Sequence, residues 1–186
     1  VIDVHPHDSS LIEREDCLLL FIDIQERLLP VIAEKEKIVG NIVKLVKFST
    51  IVGMPIMVTE QERLGSTVDE IRREIKEFNP IQKICFDCFS CEEFVERIGM
   101  HGRKTLLFTG IEAHICVAQT VLHALQTFHV HVVADAISSR TTENRHVALR
   151  RMEAGGAVIT STEMVIYELL KKAGTEEFKT ALKLVK

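Results

Sequence analysis

From Cys17 to Ile22 the chain reads Cys-Leu-Leu-Leu-Phe-Ile, with no charged side chain on either side of the alternation that a strand imposes. A strand that is apolar on both faces needs cover on both faces, and parallel sheets flanked by helices provide it. The first charge after this run is Asp23, at the carboxyl end, where open α/β sheets hold their ligands. Further β-type runs follow at 56–59, 81–84, 105–109, 130–134 and 157–160.

Stretches with helical spacing separate these runs. Ile38, Ile42, Leu45, Val46, Ser49 and Ile51 recur on one helical stripe that Gly53-Met54-Pro55 stops. Val68, Ile71, Ile75 and Phe78 predict a second helix, and Phe94, Val95 and Ile98 share the face of a third that ends at Gly102. A fourth runs from Cys116 through Val117, Val121, Leu125 and Phe128, and a fifth carries Val147, Leu149, Arg150 and Met152 up to Gly155-Gly156. Ser161-Thr162-Glu163 caps a sixth, which holds Met164, Val165, Tyr167, Leu169 and Leu170. Strands alternating with helices predict a single-domain α/β fold, a doubly wound six-stranded parallel sheet with helices on both faces. At 186 residues the chain is long enough to bury one substantial core. Residues 1–12 read as a loosely held arm, 13–174 as the domain, and 175–186, beyond Gly174, as a C-terminal helix.

The formal net charge of -4 gives no broad basic field, so neither nucleic acid nor an anionic membrane surface is an expected partner. Arg72-Arg73 and Arg150-Arg151 read as solvated helix faces. No apolar run approaches the roughly 20 residues needed to cross a bilayer. Five cysteines, an odd number, without a signal-like apolar opening, predict free thiols and a cytoplasmic setting.

Three residues carry the chemistry. Cys116 falls just inside a predicted helix, where unpaired backbone N–H groups and the helix dipole favour thiolate; the plainer reading is a buried structural cysteine. Asp23 and Lys83 each stand where a strand ends, and each read alone is as well explained by a turn or a solvated charge. Two other clusters compete. Cys85, Cys88 and Cys91 have a spacing seen in metal ligation, yet no second close pair exists, and Phe86 and Phe89 interleave as core residues would. His129 and His131 share one face of a strand and, with His123, are read as edge-strand or interfacial residues.

Taken together, Leu-Leu-Leu-Phe-Ile-Asp-Ile-Gln ending at Gln25, Gln-Lys-Ile-Cys-Phe-Asp-Cys-Phe-Ser beginning at Gln82, and Thr-Gly-Ile-Glu-Ala-His-Ile-Cys-Val beginning at Thr109 resemble the isochorismatase-like cysteine hydrolases. Thr59-Glu60-Gln61 and Val133-Ala134-Asp135-Ala136 extend the likeness, which is greatest to the metal-free subgroup of isochorismatase domain-containing and YcaC-like proteins. The resemblance implies the sheet order 3-2-1-4-5-6, with the first and fourth strands adjacent at the switch point. It implies a triad of Asp23, Lys83 and Cys116, an oxyanion hole from the N–H groups of Glu112 and Cys116, and a cis peptide at Ile111-Glu112. Gln25, Glu60, Gln61 and Phe89 are the candidate pocket residues.

Nicotinamidases of this group carry an Asp-x-His metal motif after the second strand, whereas here Thr59-Glu60-Gln61-Glu62-Arg63 has no histidine, so no catalytic metal and no cofactor are expected. The expected activity is attack by Cys116 on a small-molecule substrate with an amide or related C–N bond, by a homo-oligomer, dimer or larger. The alternatives are a non-enzymatic homologue that binds or assembles, and a redox role in which Cys116 reacts with peroxide.

Overall fold

The computed structural model describes residues 11–186, so most of the expected N-terminal arm lies outside the described residues. Six strands form one sheet: β1 (Cys17–Ile22), β2 (Ile56–Gln61), β3 (Ile81–Lys83), β4 (Thr105–Ile111), β5 (His129–Ser138) and β6 (Val158–Thr160). Every pairing is parallel and the order is β3-β2-β1-β4-β5-β6. The helices are α1 (Lys35–Val52), α2 (Asp69–Arg72), α3 (Glu92–His101), α4 (Ala118–Ala124), α5 (Thr142–Ala154), α6 (Thr162–Leu170) and α7 (Glu176–Val185).

The unbroken apolar run of β1 is explained by two cores. Cys17, Leu19 and Phe21 point into one with Ile38, Ile42, Leu45 and Phe48 of α1 and Val165 and Leu169 of α6. Leu18, Leu20 and Ile22 point into the other with Phe94 and Ile98 of α3, Val117 just before α4, Val121 of α4, and Met152 of α5. Each large side chain so buried stabilises the fold by about 1.5–3 kcal/mol, which is why β1 sits at the centre. α7 lies against α1 and buries Ala181. At the other end of the described chain Ile12 is buried, and its N–H donates to the Glu168 carboxylate at 3.3 Å.

β1 and β4 meet closely. Gly110 pairs with Ile22 at φ 124°, and a Cβ on Gly110 would lie 2.2 Å from the Ile22 carbonyl oxygen. No side chain fits there, and the left-handed φ independently favours glycine.

Several elements depart from the sequence expectation. The stretch with Val68, Ile71, Ile75 and Phe78 makes only the single turn of α2, because Ile75 and Phe78 reach the core only in part and give no packed stripe for a longer helix. β5 continues past residue 134 through a bulge: Phe108 pairs with Val132 but Gly110 with Ile137. Asp135 therefore lies within the strand, and its carboxylate accepts from the N–H (2.8 Å) and hydroxyl (2.9 Å) of Thr162, capping α6. Cys116 belongs to a π-helical turn, Ala113–Val117, that precedes α4, and the helix ends at Ala124, short of Phe128. His131 is on an interior strand between β4 and β6, which corrects the edge-strand reading.

Candidate active site

β1 ends by turning Asp23 into the left-handed region, φ 54°, a conformation that aspartate tolerates better than most residues. The turn aims its carboxylate across the ends of β2 and β3. Thr59 Oγ1 donates to Asp23 Oδ1 at 2.8 Å, and Lys83 Nζ donates to Asp23 Oδ2 at 2.7 Å. Lys83 Nζ also donates to Gln61 Oε1 (2.9 Å) and the Cys85 carbonyl (3.1 Å), so all the hydrogens of its ammonium are engaged. Both side chains of the ion pair are 0% exposed. Burial works against the Lys83 charge, but Asp23 above all, then the Cys88 and Cys116 sulfurs, favour it, and the net shift is upward.

Cys116 reaches this pair from the opposite half of the sheet and is 6% exposed. Burial pushes its thiol well above the ordinary cysteine range and the Asp23 charge adds to this, while Lys83 pulls the other way. Cys116 lies in the π turn that runs directly into α4, as the sequence placed it, but burial outweighs the helix end and Lys83 and disfavours the thiolate. Thr120, one turn further on, donates to the Cys116 carbonyl at 2.7 Å and accepts from Cys88 N–H at 3.1 Å, tying the loop after β3 to α4.

The expected pocket residues are largely engaged inside the protein. The Gln25 amide donates to the carbonyls of Gln61 (2.9 Å) and Gly65 (2.6 Å) and accepts from Gln61 N–H (2.8 Å). Glu60 accepts from Thr67 N–H (2.7 Å), Thr67 Oγ1 (2.8 Å) and Gln82 Nε2 (2.7 Å). Gln25 and Glu60 thus brace the loops after β1 and β2, and Gln61 holds Lys83 and the Ile84 carbonyl. Phe89 stacks on His123 at 4.7 Å and meets Phe94 edge-on at 5.2 Å.

The Ile111–Glu112 peptide is cis. Glu112 receives bonds at its carbonyl from Ile115 N–H (3.1 Å) and Val117 N–H (3.3 Å), passing over Cys116, and at Oε2 from Arg140 N–H (3.0 Å) and Nε (3.1 Å). His114 Nδ1 lies 2.9 Å from Ser139 Oγ. His114, Ser139 and Arg140 were not among the residues singled out in the sequence, nor was the Thr59 hydroxyl as an Asp23 partner; the Cys116-to-Thr120 spacing of four on a helix was the one local signal available.

The competing clusters separate. Cys88 is buried against Thr120 with its thiol pushed up to about 12, burial being the main cause. Cys85 and Cys91 sulfurs lie near the carbonyls of Ser90 and Gln82, and all five cysteines are free. Among the described residues, no group of three or more His, Cys, Asp or Glu side chains is placed to hold a metal ion. His131 is held neutral, its ring lowered to about 4 first by burial and then by His129. A groove of about 710 Å³ lined by Leu29, Val39, Val43 and Val68 runs along α1 and contains none of the Asp23, Lys83 and Cys116 side chains.

These features define a class: doubly wound α/β proteins whose crevice at the switch point holds a buried carboxylate, an ammonium and a thiol. The family model of the isochorismatase domain matches residues 17–164, and the chain belongs to the isochorismatase family, which gives it a hydrolase role. It is 36% identical over 190 residues to the secreted isochorismatase effector Isc1 of Phytophthora sojae, covering 97% of this chain and 86% of that protein. A solved structure named MAR1 ribonuclease, from Caenorhabditis elegans, is 33% identical with a TM-score of 0.87, covering 95% of this chain and 92% of that one. The YcaC protein of Escherichia coli, described as an octameric hydrolase of unknown specificity, is 25% identical with a TM-score of 0.87, covering 93% of this chain and 89% of that one. No helix among the described residues is long and apolar enough to cross a membrane.

Proposed function

We propose that this protein is a cysteine hydrolase of small amides or related C–N compounds, with Cys116 as nucleophile, Asp23 as proton carrier and Lys83 as a fixed charge. The observation that carries the reading is the fully buried Asp23–Lys83 pair, 2.7 Å apart, with the buried Cys116 close enough for both charges to act on it. A buried ion pair is expensive to maintain and contributes little stability of its own, so its position against a sulfur has a chemical rationale.

In the first half-reaction the Cys116 proton passes to Asp23 as sulfur attacks the carbonyl carbon. The oxyanion is received by the N–H groups of Glu112 and Cys116. Asp23 then protonates the departing nitrogen, the C–N bond breaks, and a thioester remains on Cys116. Water attacks the thioester, giving one proton to Asp23, which returns it to sulfur as the acid leaves. Lys83 stays charged throughout, which keeps Asp23 oriented and lowers the cost of separating charge at sulfur.

Assembly into a homo-oligomer accords with the octameric YcaC relative, and the five free thiols suit a cytoplasmic setting, although the Phytophthora relative is named as secreted. The ribonuclease name of the Caenorhabditis relative suggests a second substrate class, which the net charge of -4 does not favour. The test is a panel of small amides, with an RNA oligonucleotide alongside, offered to the wild type and to Cys116→Ala. Amine or ammonia release that falls by about 10²-fold or more in Cys116→Ala supports the proposal. Equal release from both proteins, or none from either, leaves a binding or assembly role as the better account.

A further inference from the structure

We propose that the Glu112 side chain is a positioning residue for the oxyanion site, an inference that rests on the cysteine-hydrolase reading above. Glu112 has three polar groups and two are occupied. Its carbonyl takes the Ile115 and Val117 N–H groups, at 3.1 and 3.3 Å, and its carboxylate takes Arg140 N–H and Nε, at 3.0 and 3.1 Å. Among the described residues, no acceptor takes the Glu112 N–H. A backbone amide left open in a residue whose every other polar group is tied down is an aimed donor.

The tie is mechanical as well as electrostatic. The Glu112 side chain is only 6% exposed and Arg140, at 56%, closes over it from the loop after β5. His114 repeats the connection one step along, 2.9 Å from Ser139 Oγ. That loop is itself fixed to the loop after β1, since Ala33 N–H donates to the Ser139 carbonyl at 3.0 Å and Ser138 Oγ to the Ala33 carbonyl at 2.7 Å. The segment from Glu112 to Cys116 is thereby held at Glu112 and His114 by the loop after β5. An oxyanion donor is effective only when it is already in place as negative charge develops, so what anchors the donor governs the rate of acyl transfer.

A merely structural clamp and a positioning clamp differ in which reactions of Cys116 they affect. With p-nitrophenyl acetate, sulfur attacks a carbonyl, an oxyanion forms, the S–acetyl bond is made, p-nitrophenolate leaves, and the thiol proton passes to Asp23. With methyl iodide the same proton is lost and an S–CH₃ bond forms as iodide leaves, but no oxyanion arises.

Both reactions are followed at Cys116 by peptide mass spectrometry, and the first also by p-nitrophenolate absorbance, in wild type, Glu112→Gln, Arg140→Ala, Arg140→Lys and Cys116→Ala. The expected result is that Glu112→Gln slows acetylation about tenfold or more and leaves methylation nearly unchanged. Arg140→Ala shows the same split more weakly, and Arg140→Lys restores part of the loss. Parallel loss of both reactions, or no loss of either, overturns the positioning role while leaving the cysteine reading intact. Failure of either reagent to modify wild-type Cys116 overturns the cysteine reading, and the inference with it. Arg140 is half exposed and its replacement leaves the core untouched, so a folding failure of Glu112→Gln does not remove the test.

Discussion

Adjacent strands β1 and β2 each lead to a buried carboxylate, Asp23 and Glu60, and the two differ in what surrounds them. Glu60 is met by an N–H, a hydroxyl and a side-chain amide, all of them donors that neither lose nor gain a proton. Asp23 is met by a hydroxyl, an ammonium and, from across the sheet, a thiol. Burial at a strand end therefore does not mark a reactive carboxylate. What distinguishes Asp23 is one neighbour that can hand it a proton and another whose charge stays put.

The sharpest way to break this comparison is to neutralise each carboxylate in turn. Asp23→Asn is expected to lower amide or ester turnover about 10³-fold, the scale of a lost proton carrier, whereas Glu60→Gln stays within severalfold of wild type. Comparable losses from both variants in a steady-state assay would erase the distinction. Stability sharpens it next. Lys83→Met leaves the Asp23 charge buried and unpaired and is expected to cost about 3–5 kcal/mol in urea unfolding. Gln82→Met removes only one donor from Glu60 and should cost about 1 kcal/mol.

The pH dependence of Cys116 methylation gives a further contrast. Because burial and the Asp23 charge hold the thiol above the ordinary range, the wild-type rate should climb with pH beyond the point where an exposed cysteine has levelled off. Removing the charge in Asp23→Asn moves the profile to lower pH, and Glu60→Gln leaves it in place; an unmoved profile in Asp23→Asn counts against the coupling of the two groups. The smallest difference concerns hydroxyls. Thr59→Val and Thr67→Val should each cost about 1 kcal/mol in stability, but only Thr59→Val should reduce turnover, by a few-fold, since Thr59 orients Asp23.

Asp23 and Lys83 were visible in the sequence as charges where strands end, which is a local signal, but each was as well explained by a turn or a solvated charge until the family likeness joined them to Cys116. The sheet order was not local in this sense and came from the likeness to a known family. Cys116 was legible as a position but not as an electrostatic state, since its surroundings are assembled by residues such as Asp23 and Lys83, far away in the chain. The same holds for Gln25 and Glu60, which looked available for ligand until Gln61, Gly65, Thr67 and Gln82 were brought against them. The π turn and the β5 bulge have no periodicity of their own. Glu112 was picked out for its backbone, and its carboxylate's partner lies 28 residues on, beyond any spacing rule.

The close contact of Gly110 with Ile22 has a consequence for how the molecule divides. The sheet is two triplets of strands, β3-β2-β1 and β4-β5-β6, and within the sheet β1 and β4 are the pair that joins them. Asp23 and Lys83 both belong to the first triplet and the Cys116 turn to the second, so the carboxylate–ammonium pair and the sulfur come from opposite sides of a seam too tight for a methyl group. A shift at that seam would leave the Asp23–Lys83 distance unchanged and alter the gap between Asp23 and the sulfur. The reactivity of the sulfur, once measured, would thus report how well the two triplets are seated against each other.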